Sequence, residues 1–418
     1  GWLYGFLKQN DTLEDVIYRT EEAPQKSPSD ENPVRVFRDT GTTVFRSGWE
    51  KDDFVFVLRT GAFYNHQHLD QGTFWLADRG NVFIGERQGS TYYDDPLYQS
   101  HYTQPIAHST ILIDHNGQSQ RVGDALLFIE GLDDRAFIHH FLDGRAASFV
   151  SGDIGRLYWG KVRELRRNVL YLKPRTVLML DTIVPAAQDV DVTLLYQASA
   201  LKDIQADQSL SRIRKQKATL RVHHLWPREI EVKAEETPLY INSLRTENPL
   251  IKEGMLVVTS RTAGKPLVMA QLLTTLDGAR INHESADSKG FISGKIEEHE
   301  FLFSTNPGQV CGSDGWTTDA LALTWSGATV FAALATTLDR DGKPILRSTE
   351  PITYEISGPQ IKYCLAEPAE VSLFLDEKPR AVSLDGKKTK EFSFDSKERR
   401  LKIMLAAGEG TIFFELRD

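Results

Sequence analysis

Cysteine is nearly absent: Cys311 and Cys364 are the only two among 418 residues. That count, without CxxC spacing, excludes a disulfide framework, and two inert buried thiols are favoured over a single bridge. A basic excess is missing as well. The formal net charge of −9 argues against a general nucleic-acid binder, although a basic groove on an acidic protein still admits a polyanionic substrate. No apolar run approaches the roughly 18 residues of a membrane-spanning helix. The amino-terminal text GWLYGFLKQN shows no basic segment followed by an apolar core and a cleavage site, so no signal peptide is visible in it. What remains is an ordinary globular composition, 40% hydrophobic and 26% charged, in a chain long enough for two units or one large β unit.

Helical text is confined to residues 1 to about 23. Trp2, Leu3, Phe6 and Leu7 lie at helical spacing, and Asp11 and Glu14 stand at capping-box separation before Val16 and Ile17. The polar, Pro-containing run EEAPQKSPSDENP then reads as a linker. After Pro33 the pattern becomes short β-branched and aromatic runs (TTVFRSG, FVFVLRTG, TFWLAD, NVFIGE, STILID, TVLMLDTIV, VTLLYQ and others) punctuated by Gly, Asp and Asn. Strands that recur with no long helical pattern between them predict a mainly β protein, a large antiparallel β-sandwich. The expected division is 1–41 for helix and linker, 42–350 for the sandwich, and 351–418 for a small antiparallel β module after the polar text DGKPILRSTEPI.

The chemistry is concentrated in Arg59 to Gln118, which holds five of eleven histidines and five of thirteen tyrosines. His66 and His68 are one residue apart, so on an extended segment both imidazoles share a face. Glu86 closes the strand-like NVFIGE and His108 precedes STILID, so a carboxylate and a third imidazole can converge from neighbouring strands. Two histidines and one carboxylate form a ligand set that zinc accepts, and a satisfied core or surface histidine pair is the competing reading. Among Tyr92, Tyr93, Tyr98 and Tyr102, packing is the default role. His101 and His115 are spare candidates. His139 and His140 fall in a strand-like run where neighbours point to opposite faces, which argues against a shared role; His223 and His224 meet the same objection. Arg163, Arg166 and Arg167 suit either an anionic substrate or an outward strand face, and no role is assigned to them. Most of the tryptophans are expected in the sandwich core.

The phrases NHQHLDQGTFWLADRGNVFIGE, GSTYYDDPLYQSHY and AHSTILIDHNGQ resemble the β-domain signature of the heparinase II/III-like polysaccharide lyases, a superfamily that includes alginate and oligoalginate lyases. VRELRRNVLYLKPRTVLMLDTIVP and ATLRVHHLWP resemble its later strands. The resemblance implies an α/α toroid followed by an antiparallel sandwich, with the active site in the cleft between them; residues 1–23 then hold only the last helix or two of the toroid. It implies that His66 faces the cleft as a catalytic or carboxylate-neutralising residue. Tyr93 is the best match for a catalytic tyrosine, with Tyr98 second. It further implies that His68, Glu86 and His108 hold a structural zinc. Glu86 stands where the family often has Asp, and Ser109 where Asn is typical.

The implied activity is β-elimination on an anionic, uronic-acid-containing polysaccharide or oligosaccharide, by a periplasmic or secreted enzyme of which this chain is the C-terminal part, inactive without the toroid. The alternatives are a non-catalytic carbohydrate-binding or structural sandwich stabilised by zinc, and a zinc hydrolase using the same ligands. Neither a nucleic-acid partner nor a membrane span is expected.

Overall fold

A computed structural model of the chain describes residues 27–62, 68–85, 97–115, 118, 135–158, 160–198, 200–240, 250–282 and 290–416. The helical text before residue 24 and the candidates His66, Glu86 and Tyr93 lie outside these residues. Within them the regular structure is almost entirely antiparallel strand, as the alternating aromatic and β-branched runs predict. No described helix is long and apolar enough to cross a membrane.

Three sheets build the amino-terminal layers. The first is a meander of five strands, Arg35–Phe37, Thr42–Arg46, Val55–Arg59, Phe74–Asp78 and Asn81–Ile84. Its middle strands alternate buried and half-exposed residues, with Phe45, Phe56, Leu58, Phe74 and Leu76 turned inward, the pattern of a sheet with one face on the core. A four-stranded sheet continues that layer with Glu231–Tyr240, Leu250–Arg261, Asp191–Ala198 and Ile111–Ile113. Across the core from both lies an eight-stranded sheet whose central strands are Val162–Leu172, Thr176–Pro185 and Leu267–Thr274.

The central strands are apolar on both faces because both faces are covered. Val169, Tyr171, Val177 and Met179 pack with Phe45, Phe56 and Phe74 in one core. The intervening Leu170, Leu172, Leu178 and Leu180 pack with Phe301, Phe303 and Phe331 of the carboxy-terminal strands in another. Each Leu or Phe so buried contributes about 1.5–3 kcal/mol relative to exposure, and the period of two distributes that burial to two partners.

From Arg280 onward all strands join one branched sheet, which wraps a further core containing Phe291, Trp316, Tyr354 and Phe414. The position 350/351, where composition places a module boundary, falls inside the strand Lys343–Ser357. That strand is paired with Thr329–Arg340 on one side and Gln360–Leu365 on the other. Its Glu355 carboxylate accepts the amides of Arg145 (2.6 Å) and Ala146 (3.1 Å), tying this sheet to a turn of the eight-stranded one. Cys311 and Cys364 are buried free thiols, as the sequence favours.

Candidate functional site

The segment that begins at His68 is held by its backbone rather than by regular pairing. Leu69 N donates to Thr103 O (2.8 Å). The Gln118 side chain embraces Gln71 reciprocally, its carbonyl accepting Gln71 N at 3.1 Å and its amide donating to Gln71 O at 2.5 Å. Thr110 Oγ1 donates to the same carbonyl at 2.6 Å. Gln71 reaches outward in turn, accepting from Gly61 N (2.6 Å) and donating to Asp70 Oδ1 (3.0 Å), while Asp70 pairs with Arg59 at 3.3 Å. Gly72 follows with φ +78°, and an added Cβ would meet Ile154 Cδ1 at 2.9 Å. Only glycine suits that combination of left-handed backbone and close approach.

Tyr98–Tyr102 forms a widened helical turn in which Tyr102 N bonds Leu97 O and Thr103 N bonds Tyr98 O, five residues back. Such turns recur at functional sites because they rotate side chains out of normal helical register. Here the turn buries both tyrosines, with Tyr98 edge-on to His68 at 6.3 Å between ring centroids. The short turn Pro105–Ala107 then delivers His108, which is 1% exposed.

His68 and His108, forty residues apart in sequence, approach to 5.2 Å between ring centroids. His108 Nε2 lies 3.0 Å from Tyr102 O; a carbonyl only accepts, so Nε2 carries the proton and Nδ1 the lone pair. An imidazole that donates one N–H to a backbone carbonyl is oriented as metal-ligating histidines usually are. Two imidazoles on one tetrahedral zinc would have centroids about 5 Å apart, given Zn–N of about 2.0–2.1 Å, so the observed pair fits two ligands of such a site. Among the described residues no group of three His, Cys, Asp or Glu has metal-binding geometry. Gly85, the last described residue before Glu86, donates to Gln197 O at 3.1 Å. Gln197 in turn donates: its side-chain amide to Ile106 O (2.8 Å) and His108 O (3.4 Å), and its backbone N to Ser109 Oγ (3.0 Å).

Of the spare histidines, His101 joins the edge of this cluster, its Nε2 3.3 Å from Thr237 Oγ1. Burial and the neighbouring His108 push its pKa down, against the pull of the Pro238 carbonyl. His115 is exposed and 3.7 Å from Asp191, apart from the cluster. Tyr93, His66 and Glu86 are not among the described residues.

The sequence reading left Arg167 without a role, and the structure gives it one. Arg167 is 1% exposed and forms a two-pronged ion pair with Asp181, itself fully buried, at 2.8 and 2.9 Å. Its remaining terminal nitrogen donates to Gly72 O (2.6 Å) and Ser109 O (3.3 Å), which flank the His68 segment and His108. Burial penalises the Arg167 charge, but the Asp181 carboxylate outweighs it and raises the pKa above the usual value. Arg167 and Asp181 are direct cross-strand partners. Their signal in the sequence was one charge in each of two adjacent apolar runs, RNVLYL and TVLMLDTIV, a pattern that a buried pair satisfies. Arg163 is exposed and Arg166 faces the other side of the sheet, 3.7 Å from Asp153.

His139 and His140 do not point to opposite faces: the ladder with Ala147–Asp153 slips between Ile138 and His140, and this bulge brings both rings to one side, stacked 4.8 Å apart.

Residues 29–224 match the family model "Heparinase II/III-like, C-terminal". No curated protein matches the chain in sequence. Among solved structures, the heparan sulfate lyase HepC from Pedobacter heparinus superposes with a TM-score of 0.54 at 17% identity, over 70% of this chain and 45% of that one. The Heparinase III-BT4657 gene product gives 0.53 at 14% identity, over 72% and 47%. A structure of heparinase III gives 0.51 at 14%, over 72% and 43%. The chain therefore spans less than half the length of each of these structures, and at such identities the likeness establishes the fold. The stretch that matches the heparinase II/III-like C-terminal model, residues 29–224, covers the histidine cluster and the buried Arg167 that holds its loops.

Proposed function

We propose that the chain is the β-sandwich part of a polysaccharide lyase that cleaves a uronic-acid-containing polysaccharide by β-elimination. The observation that carries this reading is the meeting of His68, Tyr98 and His108 on loops with buried anchors, inside the family-matched segment. Elimination requires neutralisation of the uronate carboxylate, a base for the proton alpha to it, and an acid for the departing glycosidic oxygen. His66 takes the neutralising or proton-transfer role, and Tyr93 the proton transfer, with Tyr98 as the second tyrosine. An upstream α/α toroid of the same parent chain supplies the opposite wall of the cleft, in keeping with the chain's spanning less than half of its solved relatives. By the same resemblance the enzyme works in the periplasm or outside the cell.

His68, Glu86 and His108 would hold a zinc ion, whose contribution is to tie three loops together. Tyr102 O fixes the His108 tautomer for that purpose, and His66 is the histidine assigned to substrate. Metal analysis of the purified chain is expected to find about one zinc per molecule, and His68→Ala to lower metal content and thermal stability together. A metal-replete preparation without zinc would remove the ligand assignment.

The activity is tested by incubating the protein, alone and joined to its toroid, with heparan sulfate, chondroitin sulfate and alginate while following the far-ultraviolet absorbance of the unsaturated uronate. Absorbance that rises only with the toroid present, and is abolished by His66→Ala with zinc retained, is the expected result. Chain cleavage without that absorbance would mean hydrolysis. Binding without turnover in the joined protein would leave a non-catalytic carbohydrate-binding sandwich.

A further inference from the structure

The bulge at His139 turns both stacked imidazoles toward a cleft of about 800 Å³ between the eight-stranded sheet and the carboxy-terminal sheet. That volume lies within the roughly 300–1,000 Å³ of small-molecule pockets. The cleft is on the far side of the sheet from His68 and His108: Arg166 lines it, whereas the adjacent Arg167 reaches the opposite way to Gly72 and Ser109. The facing wall is irregular as well. The ladder of Thr329–Arg340 with Lys343–Ser357 slips on both sides of Ala335, and Leu334 beside it has a φ of 55°, rare for a bulky side chain.

Four polar atoms of lining residues have no hydrogen-bond partner: Nδ1 of His139, Nδ1 of His140, Oδ1 of Asn168 and Nε of Arg166, whose nearest carboxylate oxygen, on Asp153, is 3.7 Å away. His140 and Asn168 are 2% and 1% exposed. The Asn168 amide nitrogen is committed to Leu180 O at 2.8 Å, which fixes the orientation of its unanswered oxygen. Buried polar groups left unpaired each cost about 1–3 kcal/mol, and native structures retain few of them. Burial, with the charges of His139, Arg166 and Arg38, pushes His140 down to about 3, so its ring is neutral and can accept as well as donate.

Charge decides the class of ligand. Arg166 and Lys265 face Glu164, Asp319, Glu350 and Glu367 around the cleft. Arg166 is already opposite Asp153, and Asp319 accepts the amides of Thr336 and Thr337. The remaining balance is acidic, which opposes sulfate and carboxylate groups. Hydroxyl groups donate and accept at once, matching an amide oxygen and neutral imidazoles. We propose that this cleft is a second binding site, for a neutral hydroxyl-rich saccharide, distinct from the histidine cluster and independent of the lyase reading.

The test uses the full chain with ¹⁵N-labelled histidine, titrated with cellobiose, maltose and N,N′-diacetylchitobiose, and with a sulfated chondroitin disaccharide as the charged control. The His139 and His140 imidazole signals are expected to shift saturably with at least one neutral sugar and not with the control. His139→Ala, at a half-buried position that tolerates truncation, is expected to weaken that binding about tenfold, the scale of one lost hydrogen bond. His140→Gln, checked for folding by near-ultraviolet circular dichroism, is read alongside it. The proposal is overturned if no neutral sugar moves these two signals, if the sulfated control moves them more strongly, or if His139→Ala binds as the parent does.

Discussion

Replacing Arg167 by methionine removes the cation that pairs with Asp181 in a fully buried site. Asp181 is fully buried and Arg167 is 1% exposed, so neither charge is screened, and breaking such a pair from one side costs about 3–5 kcal/mol. Gly72 O and Ser109 O lose a shared donor at the same time, and the two carbonyls together account for about 1–3 kcal/mol of that cost. Arg167→Met is therefore expected to lower stability in urea titration by about 3–5 kcal/mol. Hydrogen exchange in peptides covering residues 68–73 and 106–112 is expected to accelerate, because the two loops lose their common anchor. The double variant Arg167→Met with Asp181→Leu removes both charges and is expected to recover much of the loss, leaving about 1–3 kcal/mol for the two carbonyls. Arg166→Met is the control: it is partly exposed, faces the other side of the sheet and sits 3.7 Å from Asp153, so a change within about 1 kcal/mol is expected. A loss below about 1 kcal/mol for Arg167→Met, with loop exchange unchanged, would refute the claim that this pair holds the candidate site together.

Gln118→Ala removes the two hydrogen bonds that Gln118 makes with the Gln71 backbone, leaving Gln71 O its bond from Thr110, and is expected to cost about 1–3 kcal/mol, measured by urea unfolding. Gly72→Ala places a side chain at φ +78° and against Ile154; a drop in melting temperature is expected, and an unchanged one would contradict the close approach. Burial and neighbouring charges push His140 down to about 3, and burial pushes His224 down to about 4 against the Gln271 hydrogen bond. Both charge near pH 6.5 when unfolded, so the stability they contribute is complete above that pH and is lost as pH falls toward 4 and 3. The urea midpoint is expected to fall across that window, each histidine adding up to about 1.4 kcal/mol per pH unit, with a shallower slope in His140→Gln.

The clustering of histidines and tyrosines was readable because it is local, with five of each between Arg59 and Gln118. The Arg167–Asp181 pair was half readable, since a lone charge in an apolar strand demands a partner, but nothing in RNVLYL says which strand supplies it. The sense of Arg166 and Arg167 was not readable either, because both faces of their sheet are covered and hydrophobicity alone does not label them. The boundary near residue 350 followed a polar run that lies mostly within a fifteen-residue strand, where exposed polar residues flank the buried Leu346 and Ile352.

From the sequence alone come the all-β character, the antiparallel sandwich and the clustering of histidines and tyrosines, because alternation with period two and residue chemistry are properties of neighbours along the chain. Only the tertiary structure decided that His68 and His108 meet, that Arg167 supports them from beneath, and that His139 and His140 share a face. Each of those depends on register, and register is set by ladders between strands far apart in sequence, where a one-residue slip redirects every side chain beyond it.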